Sequence, residues 1–80
     1  MKVAIKVRLK NGILDPQGKT VQQALAHLGY ESVSEVRVGK LIEFELNTDD
    51  VQQAEQSARE MADRLLANPV METYEVEILK

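Results

Sequence analysis

Between Val33 and Leu46 the chain alternates apolar and polar residues. Val36, Val38, Ile42, Phe44 and Leu46 share one parity, and Glu35, Arg37, Glu43 and Glu45 share the other. Period two marks a strand with one buried face. A two-residue hairpin at Gly39-Lys40 would set Val36 opposite Glu43, mixing apolar with acidic residues on one face. Two arrangements keep the register clean. A three-residue loop from Gly39 to Leu41 pairs Val38 with Ile42 and Val36 with Phe44; alternatively, the segment is one long strand, bent or bulged at Gly39. The long strand would span roughly 46 Å at about 3.3 Å per residue. A compact chain of this length has a radius of gyration of only about 12 Å. Such a strand would project beyond its own core and need a second chain to cover it. Lys40 breaks the apolar parity, which fits either a bulge that frees it to solvent or a contact with another subunit.

The flanking segments supply the rest of the architecture. Val3, Ile5, Val7 and Leu9 alternate with Lys2, Ala4, Lys6, Arg8 and Lys10, which reads as a first strand ended by Asn11-Gly12. Asp15-Pro16-Gln17-Gly18 has the residue preferences of a type I turn, and equally those of a helix start with Asp15 as cap and Pro16 first. Thr20-x-x-Gln23 offers a further start. The helix carries Val21, Ala24, Leu25 and Leu28 on one face, and Gly29 ends it. A second helix opens at Asp50-x-x-Gln53, repeats Val51, Ala54, Ala58, Met61 and Leu65 at spacings of three and four, and stops at Asn68-Pro69. In the last strand Glu72, Tyr74, Val76 and Ile78 alternate with Thr73, Glu75 and Glu77. The order predicts an α+β two-layer sandwich of ferredoxin-like kind, a single domain over residues 1–80, with both helices on one face of the sheet.

Composition narrows the chemistry. The chain has 80 residues, no cysteine and one histidine. Disulfides, thiolate metal sites, a cysteine nucleophile and multi-histidine metal sites are therefore excluded. A net charge of −3 argues against nucleic acid as a partner. No apolar run approaches the roughly 20 residues that span a bilayer, so a cytoplasmic protein without membrane contact is expected. A domain this small has marginal stability, and with no disulfide or metal to add to it, self-association is the usual supplement.

No catalytic constellation emerges. His27 lies in a helix with no orienting partner in view. Glu43 and Glu45 share a strand face about 7 Å apart, yet a chain this short hardly makes a glycosidase cleft around them. The stripe of Lys2, Lys6, Arg8 and Lys10 lies on a face without aromatic rings, and Glu35, Glu43, Glu45, Glu75 and Glu77 from neighbouring strands would neutralise it through cross-strand pairs. No catalytic, cofactor-binding or metal-ligating residue is expected in this chain. On these grounds it is a small dimerising α+β module, and a ferredoxin-like domain that senses a small molecule stands as one reading of it.

Four strings at their spacings carry more. Gly12-Ile13-Leu14-Asp15-Pro16-Gln17-Gly18, Val36-Arg37-Val38-Gly39-Lys40, Leu65-Leu66-Ala67-Asn68-Pro69-Val70 and Glu72-Thr73-Tyr74-Glu75-Val76 occur in this order. Together they closely resemble the PurS family, the small subunit of phosphoribosylformylglycinamidine (FGAM) synthase, over essentially the whole chain. The resemblance implies a non-catalytic subunit of an ATP-dependent ligase of purine biosynthesis that takes its nitrogen from glutamine. It implies partners: a large synthetase subunit, which uses ATP and Mg, and a glutaminase subunit, with this chain bridging them and helping ammonia pass. It also implies a homodimer or tetramer with exchanged segments. Carried over residue by residue, the interface candidates are Gly12, Asp15, Pro16 and Gly18, then Arg37, Gly39 and Lys40, then Asn68 and Pro69.

Overall fold

The computed structural model describes residues 1–79. The first alternating run becomes β1, Lys2–Leu9, and it occupies the middle of a three-stranded antiparallel sheet. β2, Lys40–Glu45, lies along one side of it and β3, Glu72–Ile78, along the other. The register sets apolar residues opposite apolar ones except at one end: Val3 faces Phe44 and Ile78, Ile5 faces Ile42 and Val76, and Val7 faces Tyr74 on one side and Lys40 on the other. Alternation thus gives the sheet one apolar face, where Val3, Ile5 and Val7 are buried.

That face is covered by α2, Val51–Met61. Ala54 and Ala58, with Ala62 just beyond, are fully buried against the strands. Small side chains along this seam let the helix lie close to the branched residues of β1. Asp50 caps the helix, accepting from the N–H groups of Gln52 and Gln53 at 2.9 and 3.3 Å. The Gln53 side chain does not return to the cap; its Oε1 accepts from the Thr48 hydroxyl at 3.1 Å.

Past Met61 the helix widens into a π-turn over Ala62–Leu66, closed by a 2.9 Å bond from the Ala67 N–H to the Ala62 carbonyl. The extra residue shifts the helical phase. Leu66 takes the place against the core, and Leu65, expected there from its spacing, stands 82% exposed.

The other helix, α1, Pro16–His27, departs further from expectation. Val21 and the C-cap residue Leu28 are exposed, Gly18 alone is buried in the helix, and none of it enters the core. The expected packing of both helices on the sheet is corrected: within one chain only α2 covers it. The cause is local, because α1 is held at its first turn by residues 36–38 and not along its apolar face. The molecule is accordingly drawn out, 48 × 25 × 14 Å with a radius of gyration of 15.9 Å.

Neither arrangement proposed for Val33–Leu46 forms as drawn. β2 pairs with β1, so the hairpin is absent, and its ladder begins only at Lys40. Residues 33–39 run outside any ladder among the described residues, and Glu35 at φ 54° interrupts the extended run.

The second face of the sheet carries the cross-strand pairs expected of it. Lys2 meets Glu43 at 3.9 Å, Lys6 meets Glu77 at 3.2 Å and Arg8 meets Glu75 at 3.3 Å. All six side chains are widely exposed, so each pair stabilises by at most about 1 kcal/mol.

Candidate functional site

The sequence-predicted interface residues, scattered over three segments, converge at one end of the sheet. It is the end where β1 finishes and β2 and β3 begin. Asp15 is the pivot, a buried carboxylate that joins two segments. Its Oδ1 accepts from the Gly18 N–H at 2.8 Å, which caps α1 behind Pro16. Its Oδ2 accepts from the Val38 N–H, also at 2.8 Å, which fixes the strand leading into β2. Of the helix starts open in the sequence, the structure therefore uses Asp15-Pro16.

The two glycines beside this pivot are required by contact and not by backbone angle. A Cβ on Gly18 would lie 2.0 Å from the Val36 carbonyl oxygen, and one on Gly39 would lie 2.5 Å from that of Val7. The chain can pass from α1 to β2 at this closeness only if both positions lack a side chain. Gly12 is different: its φ of +86° makes the turn after β1, and it has open space around it.

Arg37 ties the same loop from the other side. Its two terminal nitrogens donate to the carbonyls of Ile13 and Lys10, each at 3.0 Å. Lys10 in turn reaches the third segment, with its Nζ donating to the Pro69 carbonyl at 2.9 Å and its backbone N–H to that of Met71 at 2.8 Å. Asn68 shapes this last turn, its Oδ1 accepting from Val70 and Met71. A continuous polar chain thus runs from Pro69 through Lys10 and Arg37 to the loop that leads into Asp15.

Lys10 and Glu72, which accepts from the Asn68 N–H at 2.7 Å, were not among the candidates. Lys10 reads in the sequence as one more member of the charged stripe, and nothing in its spacing signals the longer reach. Arg37, conversely, proves to be engaged within its own chain. Reversing its charge would disturb the loop from Lys10 to Ile13 before reporting on any partner. Lys40 is paired with Val7 through the ladder, but its side chain forms no hydrogen bond or ion pair among the described residues, so it is the cleaner probe.

The pivot has a pH signature. The N–H groups of Val38 and Gly18 hold the Asp15 carboxyl below its ordinary value of 3.8, assisted by the charge of Arg37. A carboxyl whose pKa is depressed on folding contributes stability above its unfolded value, and this is lost as pH falls through the folded one. We expect Asp15→Asn to lower the melting temperature by several degrees near neutral pH, since an amide offers one acceptor where the carboxylate offers two. The gap should begin to narrow below pH 3.8, where the unfolded carboxyl takes up its proton, and close as pH falls through the lower value of the folded one. Melting curves of both proteins across the acid range test this; a gap that stays constant would mean Asp15 carries no linked charge.

With this geometry in hand, known proteins can be compared. The sequence model of the PurS family, phosphoribosylformylglycinamidine (FGAM) synthase, matches residues 2–80. The phosphoribosylformylglycinamidine synthase subunit PurS of Synechocystis sp. is 49% identical over 74 residues, covering 92% of this chain and 74% of the relative. The crystal structure of B. subtilis PurS superposes with a TM-score of 0.86 at 40% identity, over 99% of this chain and 98% of that one. A chain of PurLQS from Thermotoga maritima superposes with a TM-score of 0.85 at 33% identity, over 95% of this chain and 93% of that one. Similarity this extensive leaves no segment of the described fold unaccounted for, and the chain belongs to the PurS family of FGAM synthase.

Proposed function

We propose that the chain is the non-catalytic small subunit of an ATP-dependent FGAM synthase, in which it bridges the glutaminase and synthetase subunits and assists the passage of ammonia between them. The observation that carries this reading is its likeness to a chain of the Thermotoga PurLQS structure. ATP and Mg serve the large subunit, and the chain itself contributes surfaces. The gathered end of the sheet suits that task. Its backbone is fixed by Asp15, Arg37 and Lys10, which keeps exposed groups such as Gly12, Lys40 and Pro69 in constant relative position. Preorganised surfaces lose little entropy on binding.

Self-association belongs to the same reading. The exposed apolar side of α1, with Val21 and Leu28, supports a homodimer or tetramer in which another copy covers what this chain leaves open. A cytoplasmic setting follows from the same pathway role, and no helix among the described residues is long and apolar enough to cross a membrane.

The test is reconstitution. Purified synthetase and glutaminase subunits are assayed with glutamine and, separately, with ammonia, in the presence and absence of this chain. Glutamine-driven turnover should rise on the order of tenfold or more when the chain is added, as expected when two partners are brought to high effective concentration. Ammonia-driven turnover should change little. Equal glutamine-driven rates with and without the chain would remove the bridging role.

A further inference from the structure

The chain has three asparagines, Asn11, Asn47 and Asn68, and the fold treats each differently. An asparagine side chain is a latent electrophile. The backbone nitrogen of the following residue attacks its carbonyl carbon when that nitrogen is free to approach. After Asn68 comes Pro69, which has no N–H to lose. The Asn68 Oδ1 is also held by Val70 and Met71, at 2.9 and 3.3 Å. After Asn47 comes Thr48, whose N–H is donated to the Leu46 carbonyl at 2.9 Å and whose branched Cβ crowds the approach.

Asn11 has neither protection. It and Gly12 are both exposed, and the Gly12 N–H and the Asn11 amide have no hydrogen-bond partner among the described residues. Nothing lies within 4 Å of the place a Cβ on Gly12 would take. The turn is closed by a single bond at the long end of the range, from the Ile13 N–H to the Lys10 carbonyl at 3.2 Å. The peptide plane between Asn11 and Gly12 can therefore rotate towards the side chain without breaking a bond of its own.

We propose that Asn11 is a site of self-catalysed deamidation. Solvent base removes the Gly12 amide proton, the nitrogen bonds to the Asn11 side-chain carbonyl carbon, and that carbon releases its Nδ2 as ammonia. The resulting five-membered succinimide takes up one water. Opening at the side-chain carbonyl leaves aspartate. Opening at the main-chain carbonyl leaves isoaspartate, with the backbone routed through the former side chain and lengthened by one carbon. The proposal does not depend on the bridging role.

The position of the site gives the product an effect. Arg37 spans the two residues that flank this dipeptide, donating to the carbonyls of Lys10 and Ile13 at 3.0 Å each. A backbone carbon inserted between them changes their separation, and one guanidinium no longer reaches both. Either product also puts a new carboxylate in the recess that Asn11 shares with Arg37, which draws the guanidinium from neutral carbonyls to a charge. Deamidation thus loosens the loop that leads into Asp15.

The experiment holds the full chain in mildly alkaline buffer at physiological temperature, beside a sample unfolded in urea. Tryptic peptides are followed by mass spectrometry, and isoaspartate is counted with an isoaspartyl methyltransferase. In the folded chain Asn11 should convert at a rate within about tenfold of the unfolded one, as for a loop whose opening costs little. Asn47 and Asn68 should stay intact. Aged wild type should melt several degrees below fresh protein and lose exchange protection at Ile13. Asn11→Gln, whose longer side chain would have to close a larger ring, should show neither change.

Persistence of Asn11 in the folded chain while the unfolded sample converts would mean that the turn shields it, and overturns the proposal. So does conversion of Asn47 at the same rate, because the free Gly12 N–H would then confer no selectivity. Conversion at Asn11 with melting and exchange unchanged would remove the effect on the Arg37 clamp.

Discussion

Gly18→Ala should destabilise the chain by about 2–3 kcal/mol, although alanine is the better helix former. In an exposed helix interior the same substitution would stabilise by about 1 kcal/mol. Here the added methyl would sit 2.0 Å from the Val36 carbonyl oxygen, an approach that no rotamer can relieve because both atoms are fixed to backbone. The first turn of α1 must move away from residues 36–38, and the Asp15 bond to Val38 goes with it. Thermal melts would report the loss, and amide exchange at Val38 would report its location. A variant that melts with wild type and keeps Val38 protected would show that this approach is looser than the structure describes.

Ile5→Ala should cost about 2–5 kcal/mol, the range for truncating a buried isoleucine. Ile5 has 0% exposure at the centre of β1, between Ile42 and Val76. Neighbouring backbone on both sides cannot collapse into the space, so little of the cavity is recovered. A chain of this size is held together by only about 4–12 kcal/mol, and the variant would be partly unfolded at physiological temperature. Urea titration should show a lower midpoint with an unchanged slope. Leu65→Ala, removing a side chain that is 82% exposed, supplies the contrast and should fall close to wild type. Equal losses at the two positions would mean that the core is not centred on β1.

The two leucines at 65 and 66 illustrate what periodicity conveys and where it ends. Counting by threes and fours assumes a uniform α-helix, so it assigned Leu65 to the core, and the π-turn gives that place to Leu66. The strands were legible because each has one buried face: Val3 and Ile5 match Phe44 and Ile42, all three valine and isoleucine positions match β3, and Lys40, opposite Val7, breaks the pattern. α1 was legible as a helix and illegible in its placement. Its apolar stripe states that the face seeks cover and says nothing of which chain provides it.

The alternation after Val33 misled for a similar reason. It describes side chains, while the backbone hydrogen bond of Val38 goes to a carboxylate and the ladder waits until Lys40. At the candidate site, Asp15, Gly18 and Gly39 were identified through family strings, and the structure supplies physical reasons for each. Lys10 escaped because its role depends on Pro69, distant in sequence, and no local pattern encodes that meeting.

The central strand of the sheet is the first to appear in the sequence, and that order shapes how the chain reaches its fold. Arg8 and Glu75, neighbours across the ladder, are 67 positions apart. Closing so long a loop precedes any reward from the contacts it makes, and topologies of this kind fold over milliseconds to seconds. Throughout that interval Val3, Ile5 and Val7 form a β-prone apolar run with both hydrogen-bonding edges open, the sort of segment that templates aggregation. Lys2, Lys6 and Arg8, interleaved with it, keep the run charged and repel another copy until Glu43, Glu77 and Glu75 arrive to neutralise them. Ion pairs that add little to the finished sheet thus mark the places where charge protects the unfinished one.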